Sequence, residues 1–324
     1  MTRNAKRARS VGGALLALTP LAAAAGWIAY SRLAVDHDVP VPTAVEARRG
    51  TIGTSVGRLS YYASEAATGR PLVLIHAINA AASAYEMSPL FSHYMGQRPV
   101  FALDLPGFGF SDRPDIRYSP DVFKQAILEF LEQVVREPAD IVALSLGSEF
   151  AALAASAAPE RFNSLALISP TGFRENGSGG SPLGGLAYRV LTFPFGGRAF
   201  FDMLATMPSI RYFLSRSFNG PPDEGLAQYA YRSAHQPGAH HAPLYFITGQ
   251  LFTPTIRQDA YARLPMPVLV IYDEDGFTNF ETLQPFAGEH PNWRLARIQP
   301  TRGLPHFEQL GATTDALDAF WQGV

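Results

Sequence analysis

The sequence predicts an α/β protein: a mostly parallel central sheet with helices on both faces, an inserted helical cap and an N-terminal transmembrane helix. Three observations carry that prediction. Short apolar runs bounded by turn residues alternate with stretches of helical periodicity, the pattern of parallel strands buried on both faces. The alternation lapses over residues 171–265 and then resumes. The chain also opens on a basic tail followed by a long stretch, 11–30, that carries no charge.

With 324 residues, and 47% apolar against 17% charged side chains, the chain has material for a substantial core, and disorder is excluded as its main state. Its net charge is −2, and the first ten residues are basic with no acid among them, so the remainder is more acidic still. A nucleic-acid partner, which requires a basic face, is not expected. The absence of cysteine removes disulfides, zinc–thiolate sites and thiol nucleophiles together.

Residues 11–30, "VGGALLALTPLAAAAGWIAY", at about 1.5 Å each reach roughly 30 Å, the thickness of a hydrocarbon core. Trp27 and Tyr30 would then sit at an interface. Arg3, Lys6, Arg7 and Arg9, against Arg32 alone on the other flank, would keep the N-terminus in the cytoplasm and send the remainder to the periplasmic or extracellular side. A cleaved signal sequence using "LAAAA" is one alternative, and implies an exported protein; a buried N-terminal helix of a soluble protein is the other, disfavoured because the run has no polar face. Residues 1–33 are read as this anchor or signal. Residues 34–170 form the first part of the core, opening on the polar linker "DHDVPVPTAVEARRG"; 171–265 form the cap and 266–324 the second part of the core.

Within the core, "TSVGRLSYYAS" alternates as an early strand. "PLVLIH" (71–76), "PVFALDL" (99–105), "IVALS" (141–145) and "LALIS" (165–169) follow as short buried strands. The clearest helix is 119–138, where Phe123, Ile127, Phe130, Leu131 and Val134 recur at helical spacing after a Ser-Pro start. Helix-like pieces at 186–193, 198–206 and 222–234 fill the cap. Strands "MPVLVIYDED" (266–275) and "WRLARIQP" (293–300) and a helix at 313–321 complete the pattern.

Ser145 stands at the carboxyl end of a central strand, where open α/β sheets bind ligands. A sharp strand-to-helix turn there lifts the hydroxyl out of the sheet, and "ALSLG" is one substitution from the G-x-S-x-G turn. A serine hydroxyl attacks only when a base takes its proton, and that base needs a third group to fix its tautomer. Asp275, ending "VLVIYDED", and His306, in "GLPHFEQLG" after the last strand, supply acid and base in the chain order this topology requires. Asp273 and Glu274 are alternatives for the acid. Ser148 reads as a first-turn helix residue, and Glu149 as a negative charge suited to that turn.

At these residues the chain resembles the α/β-hydrolase fold, in the capped group that includes serine esterases and carbon–carbon bond hydrolases. The resemblance covers residues 60–324 and rests on "PLVLIHAIN", "ALDLPGFGFSDRP", "ALSLG" followed by "APERFNSLALISP", "PVLVIYDED" and "GLPHFEQLG". It implies an oxyanion hole formed by the backbone N–H groups of Leu146 and Ile78. Two positions depart from the family pattern: its usual His-Gly pair is here His76-Ala77, and Ala143 replaces the first glycine of the turn. His76 is read as a structural residue of the oxyanion loop, and Asp104 and Asp112 as turn-fixing residues.

The activity expected is cleavage of an ester or similarly activated carbonyl of an apolar small molecule, without cofactor or metal. The pair His240-His241 lacks a third ligand at metal spacing, and no phosphate loop follows the first strand. An aspartate nucleophile is absent, which disfavours dehalogenase and epoxide hydrolase chemistry. The same triad also serves carbon–carbon bond hydrolysis, acyl transfer or a cofactor-free lyase reaction, and fold does not choose among them. Aromatic and methionine residues of the cap, from Phe193 to Phe218, suit an apolar substrate or pack the cap to the core. From a different class, a non-catalytic, membrane-tethered ligand-binding scaffold is the remaining alternative.

Overall fold

A computed structural model describes residues 22–65, 67–175, 179–193 and 196–323. Strands β1 (Arg48–Thr54), β2 (Gly57–Ser64), β3 (Leu72–Ile75), β4 (Val100–Leu103), β5 (Ala139–Leu144), β6 (Phe162–Ile168), β7 (Val268–Glu274) and β8 (Trp293–Arg302) pair into one sheet, in the order β1-β2-β4-β3-β5-β6-β7-β8. β2 pairs antiparallel with both β1 and β4, and the remaining pairs are parallel, so the sheet is mixed. Each apolar run read as a strand forms one. β5 shows why: Ile141 and Ala143 enter the core on one face, Val142 and Leu144 on the other, and the whole strand is buried.

Helix α1 covers residues 22–33. The core helices are α2 (Ser88–Tyr94), α3 (Pro120–Phe130) and α4 (Gly147–Ala157). Between β6 and β7 lie α5 (Gly184–Thr192), α6 (Gly196–Leu204), α7 (Met207–Ser215), α8 (Glu224–Ala234), α9 (His241–Ile247) and α10 (Ile256–Asp259). The chain ends with α11 (Leu283–Glu289), α12 (Pro305–Glu308) and α13 (Leu310–Gln322). α3 and α4 cover one face of the sheet, with the rings of Phe123 and Phe150 stacked at 4.5 Å. α2 and α13 cover the other through Leu90, Phe91, Leu317 and Phe320. The helices between β6 and β7 rest on the loop after β3, where Phe201 packs against Ala80 and Ala81, and Ile210 against Ala81.

Two expectations are corrected. The segment read as a linker, 36–50, runs into β1, an exposed edge strand whose weak apolar pattern hides it; the Tyr61 ring lies where a side chain at Gly50 would start. Among the described residues no helix is long and apolar enough to cross a membrane, so the transmembrane helix is not supported. Most of the stretch expected to span, up to residue 21, lies outside the described residues. Its described continuation, α1, is docked on protein: Trp27 donates from Nε1 to the Ala199 carbonyl at 2.7 Å, and the buried Ser31 hydroxyl donates to Asp202 at 2.5 Å. His37 also contacts the Asp202 carboxylate, at 3.0 Å. A tryptophan and a serine engaged in this way face α6 and not a lipid interface.

Candidate active site

Ser145 follows β5 directly and has φ 51°, a left-handed conformation that costs a non-glycine residue about 1–3 kcal/mol. The neighbouring backbone holds it there. Its N–H donates to the Ile168 carbonyl at 2.8 Å, extending the β5–β6 ladder, and its own carbonyl accepts from Ser148 N–H at 3.0 Å as α4 begins. The helix passes so close to β3 that a side chain at Gly147 would overlap the His76 carbonyl. Ser148 donates its hydroxyl to the Ala143 carbonyl at 3.1 Å and is buried, which leaves Ser145, half-buried, as the serine offered at the turn. The alanine at 143 is accommodated because that backbone lies in an ordinary strand, outside the left-handed region.

The loop after β3 is fixed from both sides. His76 contacts the Ala77 carbonyl through Nδ1 at 2.5 Å and accepts Leu105 N–H on Nε2 at 3.0 Å, and burial lowers its pKa to about 4, so it acts here as a neutral structural group. Glu86, which the sequence reading passed over, lies buried beneath the same loop. Its carboxylate accepts Ala77 N–H at 2.9 Å and Asn79 Nδ2 at 2.6 Å, and burial raises its pKa to about 7. Neither Ile78 N–H nor Leu146 N–H donates to any described residue, although both residues are almost wholly buried.

The two remaining members of the expected triad also lie at carboxyl ends of strands. Asp275 follows β7 and accepts Phe277 N–H at 2.7 Å and Thr278 N–H at 3.1 Å on Oδ1. Its Oδ2 lies against Gly303, three residues before His306. Desolvation raises the Asp275 pKa. Asp273 is otherwise engaged: it accepts from Arg297 at 2.8 Å and from Thr301 N–H at 3.0 Å, bridging β7 to β8. His306, in α12, is fully buried, but its Nε2 points to the Glu86 carbonyl at 2.7 Å and its Nδ1 has no partner. A carbonyl only accepts, so Nε2 carries the proton and Nδ1 the bare lone pair. Among the described residues, no hydrogen bond joins Ser145 to His306 or His306 to Asp275. Burial lowers the His306 pKa to about 4, leaving the ring neutral at physiological pH.

Glu149 stands in the first turn of α4 and is buried there. It accepts the Thr171 hydroxyl at 2.5 Å and Thr253 N–H at 2.8 Å, clamping the start and the end of the insertion to α4. Asp104 and Asp112 fix the turn after β4 as expected: Asp104 accepts Ala84 N–H and Phe110 N–H, both at 2.9 Å, and Asp112 accepts Arg58 N–H at 3.0 Å. The aromatic and methionine residues of the insertion divide. Phe201 and Phe218 are buried, whereas Phe193, Met203, Tyr212 and Phe213 are exposed; Phe195 lies outside the described residues.

This arrangement belongs to a known class. The family model described as the alpha/beta hydrolase family matches residues 72–316, most of the chain, and the chain belongs to that family. Among curated proteins, 2-hydroxymuconate semialdehyde hydrolase of Pseudomonas sp. (strain CF600) is 33% identical over 110 residues, 33% of this chain and 39% of that enzyme. The 1-acylglycerol-3-phosphate O-acyltransferase ABHD5 of Sus scrofa is 24% identical over 246 residues, covering 66% of this chain and 68% of that protein. The match thus spans well under half the length of the first of these. Among solved structures, 2-hydroxy-6-oxo-6-phenylhexa-2,4-dienoate hydrolase from Rhodococcus sp. strain RHA1 superposes with a TM-score of 0.68 at 19% identity, covering 86% of this chain and 99% of that one. A serine hydrolase involved in carbazole degradation gives 0.69 at 17% identity over 86% and 99% of the two chains. These likenesses establish the fold.

Proposed function

We propose that this chain is a serine hydrolase that cleaves an ester or similarly activated carbonyl of an apolar small molecule. Ser145 is the nucleophile, His306 the general base and Asp275 the acid that orients it. The observation that carries the reading is the left-handed backbone at Ser145, held between the Ile168 carbonyl and the first turn of α4. Packing alone would favour glycine there; a serine is explained by the need for its hydroxyl.

For the base to act, the His306 ring must exchange the Glu86 carbonyl for the Ser145 hydroxyl by rotation about its side-chain bonds. The ring also changes tautomer, Nε2 giving its proton to a water as Nδ1 takes one from it, so that Nδ1–H faces Asp275 and the Nε2 lone pair faces Oγ. The imidazole takes the Oγ proton as oxygen attacks the carbonyl carbon, and the Ile78 and Leu146 N–H groups hold the oxyanion. The imidazolium gives its proton to the departing alcohol, and water, deprotonated by the same ring, releases the acyl group and restores Ser145. Carbon–carbon bond hydrolysis is the second reading, favoured by the 33% identity with 2-hydroxymuconate semialdehyde hydrolase.

Treatment with a fluorophosphonate tests the first step: label on Ser145, lost in Ser145→Ala and His306→Ala, is the expected outcome. Folded protein that takes up no label contradicts the reading and supports a non-catalytic scaffold. Turnover of a short-to-long series of acyl esters, set beside a vinylogous 1,5-diketone, then separates ester from carbon–carbon cleavage.

A further inference from the structure

Glu86 touches three parts of the proposed site through two different groups. Its carboxylate holds Ala77 N–H and Asn79 Nδ2, the residues on either side of Ile78, while its carbonyl receives His306 Nε2. Asn79 in turn accepts Ala81 N–H at 2.8 Å, so the grip of Glu86 extends along the loop on which the insertion rests. We propose that Glu86 is a positioning residue for the reaction, its side chain setting the direction of the Ile78 N–H and its main chain holding the His306 ring in a resting orientation. The inference rests on the hydrolase reading above.

The choice of side chain supports it. Among the described residues no cation forms an ion pair with Glu86: burial and the two hydrogen bonds are the causes acting on it. The ionisable groups around it are His76 on the same loop and His306 on α12, both held neutral by burial, and Asp104, which accepts Ala84 N–H at the start of the turn that carries Glu86. A glutamine would fill the same space without the cost of desolvating a charge, but it offers one acceptor oxygen where two donors converge. Glutamate supplies both acceptors with a single side chain.

The test is Glu86→Gln, assayed with the best ester of the series and by fluorophosphonate labelling of Ser145. The expected result is a kcat lower by about 10–100-fold with KM within about twofold, because the oxyanion donor is misdirected while substrate contacts stay. The variant should melt no lower than the wild type at pH 8, where the native carboxylate is charged and buried. A residue needed only for folding would show the reverse, a lower melting temperature with kcat retained in the folded fraction. Should the variant not fold, Asn79→Ala, which removes one of the two donors from a half-buried position, is expected to lower kcat in the same direction. Unchanged kcat in folded Glu86→Gln, or kcat lost only in step with folding, would overturn the inference while wild-type labelling at Ser145 still stands. No labelling of the wild type would overturn the hydrolase reading and this inference with it.

Discussion

The two ends of the proposed proton path are built differently. At the proposed nucleophile, backbone hydrogen bonds and a glycine packed against the His76 carbonyl fix the main chain of Ser145. At the base, His306 is held by a single bond to the Glu86 carbonyl and its second nitrogen has no partner. On the proposed reading, the difference teaches that the backbone at Ser145 is set by the fold, whereas bringing His306 to Ser145 requires a conformational step. A rigid turn prepaid during folding needs no rearrangement on binding, but a buried ring with an unmet nitrogen is poised to change partners.

The largest expected effect separates the two serines of the turn. Ser145→Ala should lower kcat/KM by about 10³-fold or more, whereas Ser148→Ala, which removes only a bond to the Ala143 carbonyl, should stay within about threefold. Equal losses would mean that the elbow has been assigned to the wrong hydroxyl. Next come the two aspartates at the end of β7. Asp275→Asn is expected to cost about 10²–10⁴-fold in kcat, and Asp273→Asn less than about tenfold, since Asp273 is engaged with Arg297 and Thr301. The reverse order in steady-state kinetics would transfer the orienting role to Asp273.

Rigidity of the elbow is probed by Gly147→Ala, whose methyl group would meet the His76 carbonyl and push α4 from β3. Urea unfolding should register a loss of about 1–3 kcal/mol together with a drop in kcat. A neutral effect would show that the turn is softer than its hydrogen bonds indicate. The last effect concerns the base corner and depends on pH. The Glu86 pKa is raised from 4.5 to about 7, so its contribution to stability is complete below pH 4.5 and is lost as pH rises through 7. The His306 pKa is lowered from 6.5 to about 4, so its contribution is complete above pH 6.5 and is lost as pH falls through 4. Between pH 5 and pH 8 Glu86 should therefore withdraw up to about 3 kcal/mol while His306 returns about 2 kcal/mol, so the stability of Glu86→Gln should rise relative to the wild type across this range. Identical melting profiles for the two proteins would remove the buried charge from the account.

The same contrast explains what was legible in the sequence. β3 to β8 and the Ser145 turn are local: apolar runs, a small-residue pentapeptide and a following alanine-rich helix announce them within a dozen positions. β1 escaped because an exposed edge strand with two glycines carries little apolar pattern. The base corner escaped for a different reason. The contact between positions 86 and 306 joins the short turn before α2 to α12 across 220 positions of chain, and a glutamate in such a turn reads as a solvated charge until its burial is seen. The exposed Phe193, Met203, Tyr212 and Phe213 likewise show that aromatic composition does not say which way a cap faces.

The most direct measurement is a crystal structure of the protein phosphonylated at Ser145. The account predicts that the His306 ring leaves the Glu86 carbonyl, with Nε2 about 3 Å from the adduct oxygen and Nδ1 facing Asp275. An adduct on Ser145 with His306 still bonded to Glu86 would contradict it.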